Sequence, residues 1–495
     1  MSFEHLAAIS LDDVVVITSH PLPVTASCWP VRFLPAEAAV PADAKFYVLC
    51  GQTASVRALI ERGLGAPLYV LTDSREQTLL GRLNVNVEGL GDGTWESSVN
   101  AVCSRHVRSV PWLVFEHARR SPNVEAVCDV NGSATYSELC SMAWRFGEEL
   151  VAQGVPHSES TVEGEMIAVG VMLEPSVLCC AALLGLALRR ITAVAVASQP
   201  GHRKHMLESV HCVALLVEGA IDHLEDGHGV PLIRVDLLDF GARDSTGRLS
   251  HAVPLHAIKP PPKAASLGDV AFVGWTSGST GLPKGMGVTS WRLAHWSRWR
   301  TLHTPVSEFG RRAAMNLFWI WYWHIPLTQG RALCITPSSA NTDVISLVRY
   351  LGELRVDYVD CLTPGQLSLL TELCDDLPPT LKHIFSSGEA LPVATARAFV
   401  TKFPHVRLHN LLATTETTAD ICMLLNVNVP LCDRMDIAGV KYVPVLDVGA
   451  TASIVWQNSV SLESETGRLI WKGCLSRTQT ECSACQLLHT LPASL

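Results

Sequence analysis

The sequence predicts a layered α/β fold preceded by a smaller α/β region, and three observations carry that expectation. Short apolar runs of strand length alternate with helical patterns from about residue 124 onward, the arrangement that builds sheets covered by helices. At 495 residues the chain exceeds a single hydrophobic core and should divide into two or three domains. Its composition, 48% hydrophobic and 17% charged, belongs to a globular protein with much buried surface.

The elements follow in order. Lys45 to Cys50 and Pro67 to Leu71 read as short buried strands flanking a helical pattern, Ser55 to Arg62, which makes a βαβ-like unit. Gly89 to Gly93 and the polar Ser97 to Asn100 mark a boundary. Leu113, Phe115 and Ala118 then share a helix that Pro122 stops. Val124 to Val130 and Ala134-Thr135 read as strands, with Ser137 placed to cap a helix running through Val151. Ile167 to Leu173 is a buried strand, Ser176 to Leu188 a buried helix and Thr192 to Ala197 the next strand, and His211 to Val217 continues the alternation.

The chemistry is concentrated between Asp269 and Thr289. An apolar run, Val270 to Trp275, leads into Thr276-Ser277-Gly278-Ser279-Thr280-Gly281, then Leu282-Pro283-Lys284-Gly285 and further apolar residues. The pattern is strand, loop, strand. Glycines let the loop backbone turn several N–H groups inward as an anion nest, four hydroxyls add neutral donors, and Lys284 adds a mobile positive charge. Such a loop suits a polyphosphate. It is not the GxxxxGK[ST] pattern, because no Ser or Thr follows Lys284.

Beyond the loop, Trp291 to Trp299 should be helical. Trp319, Trp321 and Trp323 alternate with Ile320 and Tyr322, a period-two pattern that reads first as core and sheet packing. Val344 to Tyr350 and Val356 to Val359 read as helix then strand, and Pro364 suits the first turn of the next helix. A strand ending near Ile384 leads into Phe385-Ser386-Ser387-Gly388-Glu389-Ala390-Leu391-Pro392. In His409-Asn410-Leu411-Leu412-Ala413-Thr414-Thr415-Glu416 the carboxylate of Glu416 supplies the anionic oxygen that a hard cation needs. The alternative for Glu416 is an acid at a helix N-terminus capped by Thr414 or Thr415.

Composition and charge remove several classes of function. A net charge of −9 without any basic run argues against a nucleic-acid partner. The N-terminus lacks the basic n-region of a signal peptide, and the longest apolar run, Ser176 to Leu188, is too short to span a membrane. Sixteen cysteines lie scattered within apolar segments, and the one CxxC, Cys482 to Cys485, has no second pair. Buried thiols in a reducing, cytoplasmic compartment are expected.

Thr276 to Gly285 resembles, at all ten positions, the TSGSTGxPKG signature of the adenylate-forming (AMP-binding) enzymes, which include acyl-CoA synthetases, luciferases and the adenylation domains of peptide synthetases. The resemblance covers residues 110 to 475 and is closer to peptide-synthetase-type adenylation domains. It implies the large N-terminal subdomain of that family over 106–475, a separate region over 1–105 and an unassigned tail over 476–495. The implied cofactors are ATP and Mg²⁺. Thr276, Ser277, Gly278, Ser279, Thr280, Gly281 and Lys284 would hold the phosphates. Gly388 and Glu389 belong to a turn similar to the family's GGEAL, whose backbone packs against adenine, with Ser387 replacing the first glycine. The stretch from Asn410 is similar to NxYGxTE, in which Thr415 would contact the α-phosphate and Glu416 would hold Mg²⁺. Leu412 stands where the family stacks an aromatic ring on adenine, which implies weaker nucleotide affinity. Trp321 falls on the tryptophan of the acid pocket. Leu317 falls where members activating α-amino acids keep an aspartate, which favours an acid lacking that ammonium group.

The reaction so implied is attack of a small carboxylic acid on the α-phosphorus of ATP, giving acyl-AMP and pyrophosphate, with CoA or a carrier protein as the thiol acceptor. Gly467 to Gly473 resembles the strand motif near the end of the large subdomain, and only Cys474 to Leu495 follows it here. The family's C-terminal lysine is then missing, so this chain alone is expected to adenylate slowly or not at all. The rival expectation is a non-catalytic nucleotide-binding or interaction protein.

Overall fold

The structure, a computed structural model, describes residues 108–156, 166–219, 229–238, 252–263, 265, 269–276, 282–315, 319–414, 419–437 and 441–443, together with the backbone of eight further strands. The chain divides into two compact units, one of residues 108–455 and one of residues 1–107 with 456–495. In the latter, β1 (Val14–Thr18), β2 (Arg32–Pro35), β3 (Phe46–Cys50), β4 (Leu68–Thr72) and β5 (Asn86–Gly89) form a parallel sheet in the order β2-β1-β3-β4-β5. β3 and β4 fall on the two expected strands. The helical pattern at Ser55 to Arg62, the tail after residue 475 and its CxxC lie outside the described residues.

The larger unit opens with α1 (Val110–Arg120), which has Pro111 in its first turn and the Ser109 hydroxyl accepting from the Trp112 N–H. β6 (Glu125–Asp129) and β7 (Gly132–Thr135) form a hairpin that runs directly into α2 (Tyr136–Ala152). The cap of α2 is Thr135 rather than the expected Ser137. Thr135 and Glu138 bond each other's backbone N–H groups reciprocally, a capping box written as Thr-Tyr-Ser-Glu.

A six-stranded sheet follows from β8 (Ala168–Met172), β9 (Thr192–Ala195), β10 (Ala214–Val217), β11 (Leu232–Arg234), β12 (Val270–Thr276) and β13 (Lys284–Thr289). Its order is β11-β10-β8-β9-β12-β13, parallel except for the terminal β12–β13 hairpin. α3 (Val177–Leu188), capped by Ser176, is apolar along its whole length and buried through its first three turns, as a helix without a polar face must be. α4 (Pro200–Ser209) joins β9 to β10.

The remaining helices are α5 (Ser290–His303), α6 (Val306–Phe309), α7 (Trp319–Tyr322), α8 (His324–Thr328), α9 (Val344–Glu353), α10 (Pro364–Leu373), α11 (Val393–Lys402) and α12 (Val429–Ile437). Between them run β14 (Arg312–Met315), β15 (Ala332–Ile335), β16 (Tyr358–Leu362), β17 (His383–Ser386), β18 (Arg407–Thr414), β19 (Ala419–Val427) and β20 (Ile454–Trp456). They build a nine-stranded sheet, β20-β19-β18-β17-β16-β14-β15-β6-β7. β21 (Val460–Glu463) and β22 (Arg468–Trp471) pair antiparallel. Leu347, Leu351, Leu367, Leu370, Phe399, Phe403 and Leu431 from the four helices α9 to α12 are buried with Val359, Ile384 and Leu408 of the strands, giving one continuous apolar core.

Two expectations are corrected. Trp319 to Tyr322 forms a helical turn, not a strand: its alternation is aromatic on every side because the turn is enclosed, with Tyr322 and Trp323 both buried. The capped-helix alternative for Glu416 also fails, since the segment containing it joins two antiparallel strands, β18 and β19.

Within the nine-stranded sheet, His383 and His409 stack in adjacent strands with ring centroids 5.3 Å apart. The Asn426 N–H donates to His409 Nδ1 at 3.1 Å, so the His409 proton sits on Nε2 and faces His383 Nδ1 at 3.0 Å. His383 Nε2–H is then left to donate to the Glu308 carbonyl at 3.2 Å. This chain of bonds holds both rings neutral. Burial pushes His383 down to about 4, and burial followed by the proximity of His383 pushes His409 well below its ordinary value. Because unfolding raises both affinities for protons, their stabilising effect is complete above about pH 6.5 and is lost as pH falls toward 4. Between pH 7 and 4 the melting temperature should therefore fall more steeply for the native chain than for His383→Leu/His409→Leu. Parallel melting curves would refute the assignment.

Candidate functional site

The loop at 277–281 lies outside the described residues, and its two stems define what holds it. Thr276 at the end of β12 stands opposite Lys284 at the start of β13 in antiparallel register. The stem is fastened to the parallel sheet on one side by the Trp275 indole, whose Nε1–H donates to the Ala195 carbonyl at 2.6 Å. On the other, His205 Nε2 lies 3.0 Å from the Pro283 carbonyl and donates to it. Gly285 is needed here, because a Cβ would come within 3.1 Å of the Trp275 ring. Lys284 is exposed, and no carboxylate among the described residues pairs with it.

The second group gathers at the C-terminal ends of β17 and β18, which are parallel with Ser386 opposite Asn410. Crevices at the carboxyl ends of parallel strands are where open α/β sheets bind ligands. Ser387 continues β17 through its N–H to the Leu362 carbonyl at 2.9 Å and is buried, whereas Gly388 and Glu389 are exposed. Gly388 adopts φ 91°, a left-handed conformation that presents open backbone at the turn. Leu412, half-buried near the end of β18, lies at the same edge. Asn410 fixes that edge through its Nδ2–H to the Val443 carbonyl at 3.0 Å. Ser277 to Gly281, Thr415, Glu416 and Leu317 fall outside the described residues.

Trp321 packs edge-on to Phe272 of β12, with ring centroids 4.6 Å apart, and covers Gly274 three strand positions from the loop stem. The tryptophan expected at the acid pocket and the phosphate-loop hairpin are thus in direct contact.

Beside it lies a buried polar cluster that sequence reasoning missed. Arg300 of α5 donates through Nη2 to Asp360 Oδ2 at 2.5 Å and through Nη1 to Asp420 Oδ2 at 3.3 Å, all three side chains being fully buried. Trp296 Nε1–H donates to Asp420 Oδ2 at 2.8 Å, and the Tyr322 hydroxyl donates to Asp420 Oδ1 at 2.7 Å. Asp360 Oδ1 has no partner among the described residues. Burial pushes Asp360 up to about 6, with Arg300 restraining the rise, and burial raises Asp420 likewise. Burial opposes the charge on Arg300, but Asp360 and Asp420 outweigh it and hold the guanidinium protonated. The signal for this cluster was charge at core positions: an aspartate within the apolar strand Tyr358–Leu362 and an arginine within the tryptophan-rich Ser290–His303.

The nine described cysteines are all buried free thiols, as expected, and burial raises Cys140 to about 12. Among the described residues no helix is long and apolar enough to cross a membrane, and no group of three His, Cys, Asp or Glu is placed to hold a metal.

Comparison with known proteins agrees with this layout. The family model of the AMP-binding enzymes matches residues 114–474. Glycine betaine reductase ATRR of Emericella nidulans is 28% identical over 330 residues, covering 63% of this chain and 23% of that protein. Enterobactin synthase component F of Escherichia coli is 26% identical over 326 residues, covering 62% of this chain and 23% of the relative. The chain spans less than a quarter of the length of these two. O-succinylbenzoate coenzyme A synthetase of Bacillus subtilis in complex with AMP shares the fold, with a TM-score of 0.53 at 19% identity, covering 64% of this chain and 61% of that one. With the signature loop on its hairpin and the match running through both sheets, the chain belongs to the AMP-binding enzyme family.

Proposed function

We propose that this chain carries out, or forms the nucleotide-binding part of, ATP-dependent activation of a small carboxylic acid as its acyl-adenylate. The observation that carries the reading is the β12–β13 hairpin, which sets Lys284 across from Thr276 at the mouth of a hydroxyl- and glycine-rich loop. An exposed ammonium without a carboxylate partner among the described residues fits a polyphosphate, and the open backbone at Gly388 fits a flat base. Bound Mg²⁺ would neutralise phosphate charge and polarise the α-phosphorus. Among this chain's own residues, Thr276 to Gly281 and Lys284 would cradle the phosphates, Gly388, Glu389 and Leu412 would border the base, Thr415 would contact the α-phosphate and Glu416 would hold the metal. Residues 106–475 would be the large subdomain that presents them.

The acid we assign lacks an α-ammonium group. Leu317 offers no countercharge, and the two buried carboxylates beside Trp321 are already engaged by Arg300. A thiol acceptor, CoA or a carrier protein, completes the reading, in keeping with the coenzyme A synthetase whose fold the chain shares. The second reading, a nucleotide-binding protein without turnover, is favoured by Leu412, which gives adenine apolar contact but no ring to stack on.

Titrating ATP·Mg²⁺ into the purified chain and into Lys284→Ala/Glu416→Ala tests both. Heat of binding that disappears in the double variant supports the site, and pyrophosphate release with a panel of carboxylic acids then separates turnover from binding alone. Absence of binding to the native chain would end the nucleotide reading.

A further inference from the structure

We propose that Asp420 is a positioning residue that fixes the separation of the two loops of the nucleotide site; the inference rests on the adenylation reading above. The phosphate-loop hairpin has no linker to the helix that follows it. β13 ends at Thr289 and α5 begins at Ser290, with the Thr289 hydroxyl capping the helix through the Arg292 N–H at 3.2 Å. Whatever holds α5 therefore holds the hairpin that carries Lys284.

What holds α5 is Asp420. Trp296 and Arg300, four residues apart on one face of the helix, both donate to its Oδ2, at 2.8 and 3.3 Å. Asp420 is the second residue of β19, so it stands at the exit of the segment carrying Thr415 and Glu416. The same carboxylate takes a third donor, the Tyr322 hydroxyl at 2.7 Å, from the residue next to Trp321. One side chain thus joins the element leaving the phosphate loop, the element leaving the Glu416 segment and the turn that carries the pocket tryptophan.

The arrangement is stiff. Trp296, Arg300 and Asp420 are fully buried and Tyr322 is 2% exposed, so no water stands ready to replace a lost donor. Trp296 and Tyr322 also pack edge-to-face, with ring centroids 4.8 Å apart, which fixes the directions of their N–H and O–H. Arg300 is further braced by Asp360 and by the face of Phe385, 4.6 Å from its guanidinium carbon. A bridging cation needs phosphate oxygens and the Glu416 carboxylate at one fixed distance. Binding of ATP by its loop alone does not. Asp420 should accordingly govern the gain in ATP affinity on adding Mg²⁺, more than ATP affinity itself.

Calorimetric titration of ATP into the full chain, with and without Mg²⁺, reads that gain for the native protein, Asp420→Asn and Tyr322→Phe. The native chain should bind more tightly with the metal. Asp420→Asn should lose roughly tenfold of that gain, within the range of ordinary coupling between sites, while metal-free affinity stays unchanged. Tyr322→Phe, which keeps the ring packing and removes one donor, should lose a smaller part, and it decides the matter if Asp420→Asn does not fold. Full retention of the Mg²⁺ gain in the folded variants overturns the proposal, whatever happens to their melting temperatures. A native chain that binds no ATP in either buffer overturns the adenylation reading itself, so the two failures are distinguishable.

Discussion

Arg300→Ala is expected to cost the fold about 3–5 kcal/mol, the usual penalty for leaving a buried ionic partner uncompensated. Here two carboxylates, Asp360 and Asp420, lose their only cationic contact at once, and neither has access to solvent. Domains are stable by only about 5–15 kcal/mol, so this one change removes a large share of the total. The measurement is the thermal midpoint of the purified variant together with its soluble yield. Arg300→Met/Asp360→Asn should recover part of the loss, because the second change removes one of the stranded charges. If Arg300→Ala melts with the native protein, the cluster is not the ion-paired core inferred from its geometry.

Gly274→Ala is the second large effect. A Cβ at Gly274 would lie 1.9 Å from Trp321 Cζ2 and 2.5 Å from Cη2, so the indole has to leave its seat against Phe272. Overpacking of this kind costs about 1–3 kcal/mol or more. It also displaces the side chain assigned to the acid pocket, so pyrophosphate release should fall beyond what the lost stability explains. Gly274→Ala/Trp321→Ala relieves the clash and should melt above Gly274→Ala alone. Should the double variant melt lower instead, the contact between the strand and the indole is not the source of the penalty.

The two expected outcomes differ in how far they were legible beforehand. The hairpin, the glycine turn at Gly388 and most parallel strands were written locally: apolar runs, turn residues and caps each report on neighbours in sequence. The Thr135 cap was equally local and was misread only because Ser137 also suits a helix start. The alternation at Trp319 to Trp323 misled because periodicity reports exposure on two faces, and this turn has no exposed face to report. The Arg300–Asp360–Asp420 cluster was opaque for a different reason. Its members are 60 and 120 residues apart, and only the folded sheet brings them together. Gly274 was likewise unremarkable in sequence, since its need for an empty Cβ position arises from Trp321, which the strand meets only in the tertiary structure.

The pairing of β6 with β15 has a consequence for how the chain is made. Val127 and Cys128 find their partners in Leu333 and Cys334, and the two thiols that meet there are 206 residues apart. At synthesis rates of roughly 5–20 residues per second, the β6–β7 hairpin waits on the order of 10–40 s for the strand that covers its open side. Contacts of such separation also form late in folding, because the intervening loop must be closed before they are rewarded. During that interval the strand Glu-Ala-Val-Cys-Asp presents an unpaired edge, with α1 and α2 as the only described helices already synthesised to shield it. The nascent chain is therefore most open to aggregation before residue 335 has emerged, and its yield in cells should respond to chaperone supply and translation speed more than the stability of the finished fold would suggest.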